Sequence, residues 1–444
     1  MIRSNPFVVF EGPVPPRLRV REEAEGGLSF DPDAGTVKNL AEKALAQARS
    51  EAADDPRIIY YAARKWSDRP PAKGCLISPT RIYLEVTSRC NLRCQFCFRD
   101  AGAPGPGELD TDRMTALVRT LAAIGIHELR LTGGEPTLRR DILAIIDEAV
   151  SQGLFVTLST NGVFSAEMLA DLTARKVGRY LVSLEGVRPV HEAMRGSGTF
   201  EPTMQTIDGL VAAGKRVRVN TLLARPTLER LPELLALLRD HGVRHAVLIA
   251  PRPLGRAARP PFADLGLGPA EMDRVARAIG PLSKESGVAI EFHYDVYRGR
   301  VGQPSDPVIR KRKSCPAGRE AAFISPDGRL YACGCAADWL ADPAMRDCVL
   351  AGSVAGLGPE GVWELWQRAS VWRPLRDWRA SKAASCLRCA HYGHGCFGSC
   401  PIHSYAAGGA FNAPDPLCWL KESPRRPAEA VPPQAGRARE EPTA

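Results

Sequence analysis

The sequence predicts an α/β fold, a partial parallel (β/α) barrel of the TIM type followed by a small cysteine-rich domain. From Tyr83 to about His293, short β-rich runs alternate with amphipathic helical stretches, which is typical of repeated βα units on a parallel sheet. After residue 300 this rhythm ends and the chain becomes rich in Cys, Gly and Trp. Six or seven parallel units indicate a full or partial barrel rather than a two-domain chain.

The elements of the predicted barrel can be assigned in order. Seven runs are predicted as strands: Ile82–Val86, Glu128–Leu131, Phe155–Ser159, Tyr180–Leu184, Val217–Leu222, Ala246–Ile249 and Ala289–Phe292. Helices are expected where apolar residues recur at three- and four-residue spacing, as over Asp112–Ala123, Arg140–Gln152 and Leu231–Asp240.

Four regions follow from this pattern. Residues 1–78 form an N-terminal extension, with a strand-like run at Pro6–Phe10, a turn at Asp31–Gly35 and a helical stretch at Val37–Ala52. The barrel spans 79–300, and the cysteine-rich domain spans 301–422, where we expect metal ligation to substitute for a hydrophobic core. Residues 423–444 are rich in Pro, Glu, Arg and Ala without periodicity and are predicted to be a disordered tail.

Composition excludes several classes of protein. The 444 residues are 44% hydrophobic, as in globular proteins, and the net charge of +9 comes from Arg residues that are scattered rather than striped, so no nucleic-acid partner is expected. No run of eighteen apolar residues and no secretory signal is visible, which predicts a cytoplasmic protein with no membrane partner.

The thirteen cysteines indicate metal binding. They are odd in number and too sparse for a disulfide scaffold, and ten of them fall in two dense groups more than 200 residues apart. Cys75 lies outside both groups and is interpreted as an ordinary buried thiol.

The first group, Cys90, Cys94 and Cys97, follows the first predicted strand, at the face of a parallel barrel where chemistry takes place. Spacings of three and two residues let one loop place three thiolates around a [4Fe–4S] cubane and leave one iron without a protein ligand. A zinc site is the alternative, but it needs a fourth ligand, and the nearest histidine, His127, precedes the second strand.

With Phe96 before the last cysteine, this segment resembles the signature of the radical S-adenosylmethionine (radical SAM) superfamily. The resemblance implies that SAM binds the open iron and is cleaved to a 5′-deoxyadenosyl radical, which abstracts hydrogen from a substrate. Gly133-Gly134-Glu135-Pro136 follows the second strand and resembles the family's motif for the methionine amino group, where a glycine pair permits close approach to a ligand. A plain strand-to-helix turn would use the same residues.

Further polar residues end the next two strands. Ser159 and Asn161 end the third strand, Ser183 ends the fourth, and Arg195 follows twelve residues later. The resemblance implies that Ser183 and Arg195 bind the carboxylate and ribose region of SAM, and an Arg fork suits a carboxylate. Solvated loop groups are the alternative. The expected cofactor-binding set is Phe96, Gly133, Gly134, Glu135, Pro136, Ser159, Asn161, Ser183 and Arg195.

The second group resembles the seven-cysteine SPASM domain, although six residues rather than the usual five separate Cys389 from Cys396. The resemblance implies two auxiliary [4Fe–4S] clusters, one on Cys386, Cys389, Cys396 and Cys418 and the other on Cys315, Cys333 and Cys400. The fourth ligand of the latter is Cys335, Cys348 or substrate. A zinc ribbon is the alternative, but one zinc needs only four ligands.

SPASM enzymes mostly modify residues within peptides or proteins, so a peptide or protein substrate and an electron donor such as a flavodoxin or ferredoxin are expected. Residues 1–78, with the segment Gly26–Gly35, weakly resemble leader-peptide-binding modules, which bind peptides by strand addition; a packing extension of the barrel is the alternative. A dehydrogenase or cofactor maturase for small molecules, or a structural iron–sulfur or zinc protein, stays open. No catalytic base is assigned, because its candidates Tyr294, Asp295 and Asp338 are of a kind that is usually solvated.

Overall fold

A computed structural model describes residues 18–24, 26–62, 72–105, 107–251, 254–293, 315–335, 349–377, 382–389, 392, 398, 400–415 and 418. Several predictions fall outside these residues: the run Pro6–Phe10, the tail 423–444, the candidates Tyr294, Asp295 and Asp338, and the cysteines Cys348 and Cys396.

A four-stranded sheet precedes the barrel. Its strands are β1 (Leu18–Glu22), β2 (Gly27–Asp31), β3 (Thr36–Leu40) and β4 (Ile58–Tyr61), in the order β3-β2-β1-β4, with helix α1 (Glu42–Asp54) between β3 and β4. The predicted turn at Asp31–Gly35 is confirmed, since it joins β2 to β3. The predicted helix Val37–Ala52 is wrong at its start, because the turn, closed by Gly35 at a φ of 67°, folds Thr36–Leu40 back onto β2 as an antiparallel strand.

The barrel consists of seven parallel strands that are neighbours in chain order. They are β5 (Arg81–Glu85), β6 (Glu128–Thr132), β7 (Phe155–Thr160), β8 (Arg179–Ser183), β9 (Val217–Leu222), β10 (His245–Ile249) and β11 (Ala289–His293). Each predicted strand is confirmed to within one residue at either end. Among the described residues the sheet ends at β11 on one side, and in this part of the chain the barrel is partial.

Helices alternate with these strands. They are α2 (Thr111–Ala123), α3 (Ile142–Ser151), α4 (Ala166–Thr173), α5 (Arg188–Arg195), α6 (Phe200–Ala212), α7 (Arg225–Glu229), α8 (Leu231–Asp240) and α9 (Pro269–Ser286). The three predicted helices are confirmed as α2, α3 and α8. No helix among the described residues is long and apolar enough to cross a membrane.

Side chains alternate between the two faces of the parallel strands. Ile82, Leu84, Leu129 and Leu131 join a buried core that also contains residues of the helices. Their neighbours on the same strands point to the opposite face, which we call the inner face of the partial barrel. Because the core is on the helical side, the inner face carries polar and charged residues.

Three strands beyond the barrel extend its sheet. β12 (Ala321–Ile324) runs parallel to β5, and β13 (Arg329–Tyr331) and β14 (Leu350–Ser353) follow in antiparallel order. Helix α10 (Pro359–Arg368) and the segment after it place Trp363, Trp366 and Trp372 in the barrel's core. The expectation that metal ligation substitutes for a core is therefore wrong for the described part of this region. Short helices α11 (Arg373–Arg376), α12 (Ala384–Leu387) and α13 (Pro401–Gly408) complete it.

The N-terminal sheet is fastened to the barrel by buried arginines. Arg19 donates to the carbonyl oxygen of Ala122 at 2.8 Å, in the last turn of α2, and Arg21 donates to that of Gly125 at 2.7 Å. Such cations near the end of a helix satisfy carbonyl groups that have no partner within the helix. Phe30 stacks on His127 with ring centroids 4.7 Å apart, so the sheet covers the amino end of β6.

Candidate active site

The loop that carries the first three cysteines leaves the carboxyl end of β5. Cys90 donates its backbone N–H to the carbonyl of Gly102 at 3.0 Å, and Gly102 donates to that of Ser88 at 3.2 Å, which closes the loop. The backbone N–H of Leu92 points at the Cys90 sulfur at 3.4 Å. The three thiols thus lie on one closed loop at the predicted end of the barrel.

Arg256 fastens this loop to the segment after β10. Its Nε donates to the carbonyl of Cys94 at 2.7 Å, its backbone N–H donates to that of Cys97 at 3.0 Å, and its guanidinium pairs with Asp100 at 2.5 Å. Gly255 makes the approach possible: its φ is +56°, and a Cβ there would lie 2.5 Å from the carbonyl oxygen of Phe98. Sequence reasoning missed Arg256, because only the tertiary fold brings it to the cysteines.

The glycine pair after β6 permits a close approach to the chain's own backbone. A Cβ on Gly133 would lie 2.6 Å from the carbonyl oxygen of Thr87, and one on Gly134 would lie 2.1 Å from that of Arg89. Hydrogen bonds join the same segments, from Gly134 N–H to Thr87 at 2.8 Å and from Glu135 N–H to Arg89 at 2.7 Å. The motif therefore positions the residues immediately before Cys90.

The Glu135 carboxylate is fully buried, and its oxygens accept hydrogen bonds from other residues of the chain. It accepts hydrogen bonds from the backbone of Asn161 at 2.7 Å and from the hydroxyls of Thr160 and Thr137 at 2.8 Å each. Burial raises the pKa of Glu135, although these donors oppose the shift. Pro136 begins the short helical turn that places Thr137. The side chain thus connects the loops after β6 and β7.

The loop after β7 contacts the cysteine loop. Asn161 donates from its side-chain amide to Asn91 Oδ1 at 2.8 Å, and Asn91 donates to the carbonyl of Val163 at 2.7 Å. Ser159, the last inner-face residue of β7, is half-buried. Among the described residues its hydroxyl makes no hydrogen bond, as is also true of Ser183 at the end of β8.

Arg195 reaches the cysteine loop from the end of α5. Its guanidinium lies 3.7 Å from the Cys94 sulfur and its Cζ 5.1 Å from the centre of the Phe96 ring. Glu185 pairs with Arg195 at 2.5 Å, and both side chains are less than a tenth exposed. A buried pair of this kind holds the Arg in one orientation. Glu185 was not in the predicted set, although it lies between Ser183 and Arg195 in the sequence.

His191 supports the Glu185–Arg195 pair through the backbone of Glu185. The backbone N–H of Glu185 donates to His191 Nδ1 at 3.3 Å, and the Glu185 carboxylate also accepts from the backbone of Leu222 at 2.6 Å. Burial, with the Arg195 charge adding to it, lowers the pKa of His191 to about 3. His191 is therefore neutral and acts as an acceptor.

The loop's donor set fits an iron–sulfur cluster. Burial raises the pKa of Cys90, with Glu135 and the other two thiols adding to it, and burial raises the pKa of Cys94 despite the Arg195 charge. Thiols in this state need a strongly electron-accepting centre to ionise. Among the described residues, no three Cys, His, Asp or Glu side chains converge closely enough to hold a single metal ion.

Five of the later cysteines lie in two packing environments. Cys315, Cys333 and Cys418 pack against the main core, while Cys335 and Cys400 pack in a smaller cluster with Phe323 and Tyr331. Cys386 lies on α12, and Cys389 follows two residues after the end of that helix. These packing groups divide the cysteines differently from the predicted ligand sets, because Cys418 packs against the main core as Cys315 and Cys333 do, whereas Cys400 packs in the smaller cluster.

Comparisons with known proteins agree with this site. A family model described as the radical SAM superfamily matches residues 84–238. Mycofactocin maturase MftC of Mycobacterium tuberculosis is 30% identical over 346 residues, covering 77% of this chain and 83% of that protein. The chain belongs to the radical SAM superfamily. The AdoMet-dependent heme synthase of Methanosarcina barkeri is 29% identical over 359 residues, covering 77% of this chain and 96% of that protein.

Solved structures of radical SAM enzymes share the fold. Streptococcus suis SuiB bound to S-adenosylmethionine has a TM-score of 0.63 at 14% identity, covering 90% of this chain and 98% of that one. SuiB bound to its precursor peptide SuiA has a TM-score of 0.64 at 13% identity, covering 90% and 97%. The predicted α/β fold class is confirmed, and these similarities are consistent with the predicted SPASM-domain subgroup. For a radical SAM enzyme, family membership implies SAM and a [4Fe–4S] cluster.

Proposed function

We propose that this enzyme holds its catalytic [4Fe–4S] cluster through Cys90, Cys94 and Cys97 and modifies a residue of a ribosomally made peptide or protein. The observation that supports the proposal is that the cysteine loop, which follows β5, is contacted by the loops after β6 and β7 and by Arg195 at the end of α5. When bound, the cluster supplies the electron that splits SAM into methionine and a 5′-deoxyadenosyl radical.

The chain's own residues then have separate tasks. Glu185 fixes Arg195, whose planar fork suits the carboxylate of SAM. The hydroxyls of Ser159 and Ser183 face the inner side with no partner among the described residues, so they are available to the ribose. The backbone of Gly133 and Gly134 offers its carbonyl groups to the methionine amino group, while the Glu135 side chain keeps that loop in place.

Two auxiliary clusters complete the proposal. They would use Cys386, Cys389, Cys396 and Cys418 for one cluster and Cys315, Cys333 and Cys400 for the other. Cys335 packs against the same small hydrophobic cluster that contains Cys400, which supports Cys335 as the fourth ligand of the second auxiliary cluster. An electron donor such as a flavodoxin or ferredoxin would serve the enzyme in the cytoplasm.

A peptide substrate is supported by the names of two similar proteins, a maturase and an enzyme bound to a precursor peptide. The similarity to an AdoMet-dependent heme synthase favours a second candidate, a reaction on a small molecule or cofactor precursor. These candidates differ in which molecule loses hydrogen.

Isotope transfer distinguishes the two. The reconstituted enzyme is incubated under anaerobic conditions with SAM, a reductant and a fully deuterated candidate peptide encoded beside its gene. Deuterium in 5′-deoxyadenosine, together with a changed peptide mass or with hydrogen uptake at one residue, is the expected result. If 5′-deoxyadenosine forms without deuterium from any such peptide, the small-molecule candidate replaces the peptide.

A further inference from the structure

Arginines outnumber their acidic partners on the inner face of the partial barrel. Arg81 on β5, Arg130 on β6, Arg179 on β8 and Arg218 on β9 all lie on this face, since their strand neighbours belong to the core on the helical side. The described carboxylates of the same face are Glu85, Glu128 and Glu291.

Two of these three carboxylates already form close ion pairs with arginines. Glu85 is bound by Arg99 of the cysteine loop, with the closer nitrogen at 2.6 Å. Glu128 pairs with both Arg81 at 2.6 Å and Arg130 at 3.1 Å. For Arg218 this leaves Glu291, whose nearest oxygen is 4.0 Å away.

Three buried polar atoms on this face have no hydrogen-bond partner among the residues that the structure describes. They are Nε of Arg218, Nε of Arg130 and Oδ1 of Asn220. The side chain of Arg218 is only 7% exposed. Buried polar atoms without partners are costly, and a buried cation without a close partner is more so. A buried polar group without a partner in the protein is suited to binding a ligand.

The charges of this face act on one another. Burial, with the nearby Arg130 adding to it, lowers the pKa of Arg218 to about 9. Burial opposes ionisation of Tyr83, yet Arg130 and Arg81 outweigh it and lower its pKa. The nearby positive charges thus contribute to lowering the pKa of both an arginine, Arg218, and a tyrosine, Tyr83.

The sheet register places these atoms beside the proposed SAM site. Asn220 pairs with Ser183, and Arg218 pairs with Leu181 on the neighbouring strand. Two residues along a strand span roughly 7 Å, so Arg218 lies one side-chain layer deeper in the barrel than Ser183. A molecule bound to Arg218 would therefore extend towards the carboxyl end of the strands, where the proposed SAM site lies.

We infer that Arg218 and Arg130 bind an oxyanion group of the substrate, a carboxylate or a phosphate, with Asn220 as a further polar contact. Guanidinium groups suit either anion because they offer paired N–H donors. The inference rests on the proposed function, since it assigns the anion to the molecule that the radical attacks. It adds the chemical class of the substrate, which must carry an acidic group near its reacting carbon.

The first test separates a binding role from a structural one. The change Arg218→Met in the reconstituted full chain removes the buried cation and keeps much of its volume. Tm is expected to stay equal or to rise, because the change removes a buried cation whose nearest carboxylate oxygen is 4.0 Å away. Arg239→Met, on the exposed surface of α8, is the matched control. A clear fall of Tm in Arg218→Met alone would show that the arginine serves the fold and would overturn the inference.

The second test identifies the anion with defined probes. N-acetyl-L-alanine, its neutral methylamide and inorganic phosphate are titrated into the reconstituted protein, and binding is followed by isothermal titration calorimetry. One of the two anions, but not the methylamide, is expected to bind, at least tenfold more weakly in Arg218→Met than in the control. The preferred anion assigns a carboxylate or a phosphorylated substrate.

Binding of neither anion, or equal binding in Arg218→Met, would overturn the inference. Formation of 5′-deoxyadenosine from SAM is measured in the same preparations. Its absence would count against the proposed function, whereas anion binding reports on the inner face alone.

Discussion

Glu135 has a structural task that its motif did not reveal. Acidic residues in a cofactor loop are readily assigned to the cofactor, yet this carboxylate accepts its hydrogen bonds from Asn161, Thr160 and Thr137. A buried carboxylate with several donors is expensive to replace, because each donor loses its acceptor at once. The residue therefore supports the site through the backbone that it holds.

The change Glu135→Gln tests this role. An amide presents N–H groups to donors that need an acceptor, so the free energy of unfolding is expected to fall by about 2 kcal/mol. Urea denaturation of the reconstituted protein measures it, with the exposed Glu42→Gln on α1 as control. Equal stability of the two variants would contradict the assignment.

Arg256 is the second residue whose role depends on tertiary structure alone. The change Arg256→Gln removes its bonds to the Cys94 carbonyl and to Asp100, so the cysteine loop is expected to loosen and to retain less iron after reconstitution. Iron content and the electron paramagnetic resonance signal of the reduced protein measure this.

Arg259→Gln is the matched control for Arg256, since its side chain is exposed and its contact with Asp100 is 3.5 Å long. If both variants keep the full iron content and an unchanged signal, Arg256 does not position the loop.

At the scale of elements, the site depends on the close contact between the loops after β5 and β6. Gly134 has no room for a Cβ, because the carbonyl oxygen of Arg89 would be 2.1 Å away. Substitution at such a contact moves backbone rather than side chain, and overpacking typically costs about 1–3 kcal/mol.

The change Gly134→Ala is expected to lower Tm by several degrees and to weaken SAM binding, as measured by equilibrium dialysis of the reconstituted protein. Gly280→Ala in α9 is its control, because a Cβ there meets nothing within 4 Å and alanine favours a helix. An unchanged SAM affinity in Gly134→Ala would show that the two loops are not coupled.

The periodicity of the sequence was sufficient to predict the strands and helices of the barrel. It was not sufficient for the N-terminal sheet or for the contacts between loops. Strands β5 to β11 are bounded by turns and rich in β-branched residues, so their positions are local properties of the sequence. Thr36–Leu40 was misassigned because its pairing with β2, rather than its own pattern, makes it a strand. Two partners of Glu135, Thr160 and Asn161, were hidden for a related reason, since they lie at the end of another strand.

At the scale of the whole molecule, the N-terminal sheet is packed onto the barrel through Arg19, Arg21 and Phe30. This contact agrees with the alternative of a packing extension. The resemblance to a leader-peptide-binding module stays a prediction.

The change Phe30→Ala is expected to loosen this sheet. Phe30 is almost fully buried between His127 and Phe155, so its removal should cost about 3 kcal/mol. Hydrogen exchange followed by mass spectrometry should show faster exchange over residues 18–61 while the barrel strands keep their protection. Unchanged exchange in the N-terminal sheet would contradict the packing role.

The central claim is that the loop of Cys90, Cys94 and Cys97 starts radical chemistry from SAM. The direct measurement is 5′-deoxyadenosine formed from SAM by the anaerobically reconstituted, chemically reduced protein, compared with Cys94→Ala. We expect product from the wild-type chain and a loss of at least a hundredfold in Cys94→Ala. Equal product from both proteins, or none from a wild-type chain that holds its iron, would contradict the account.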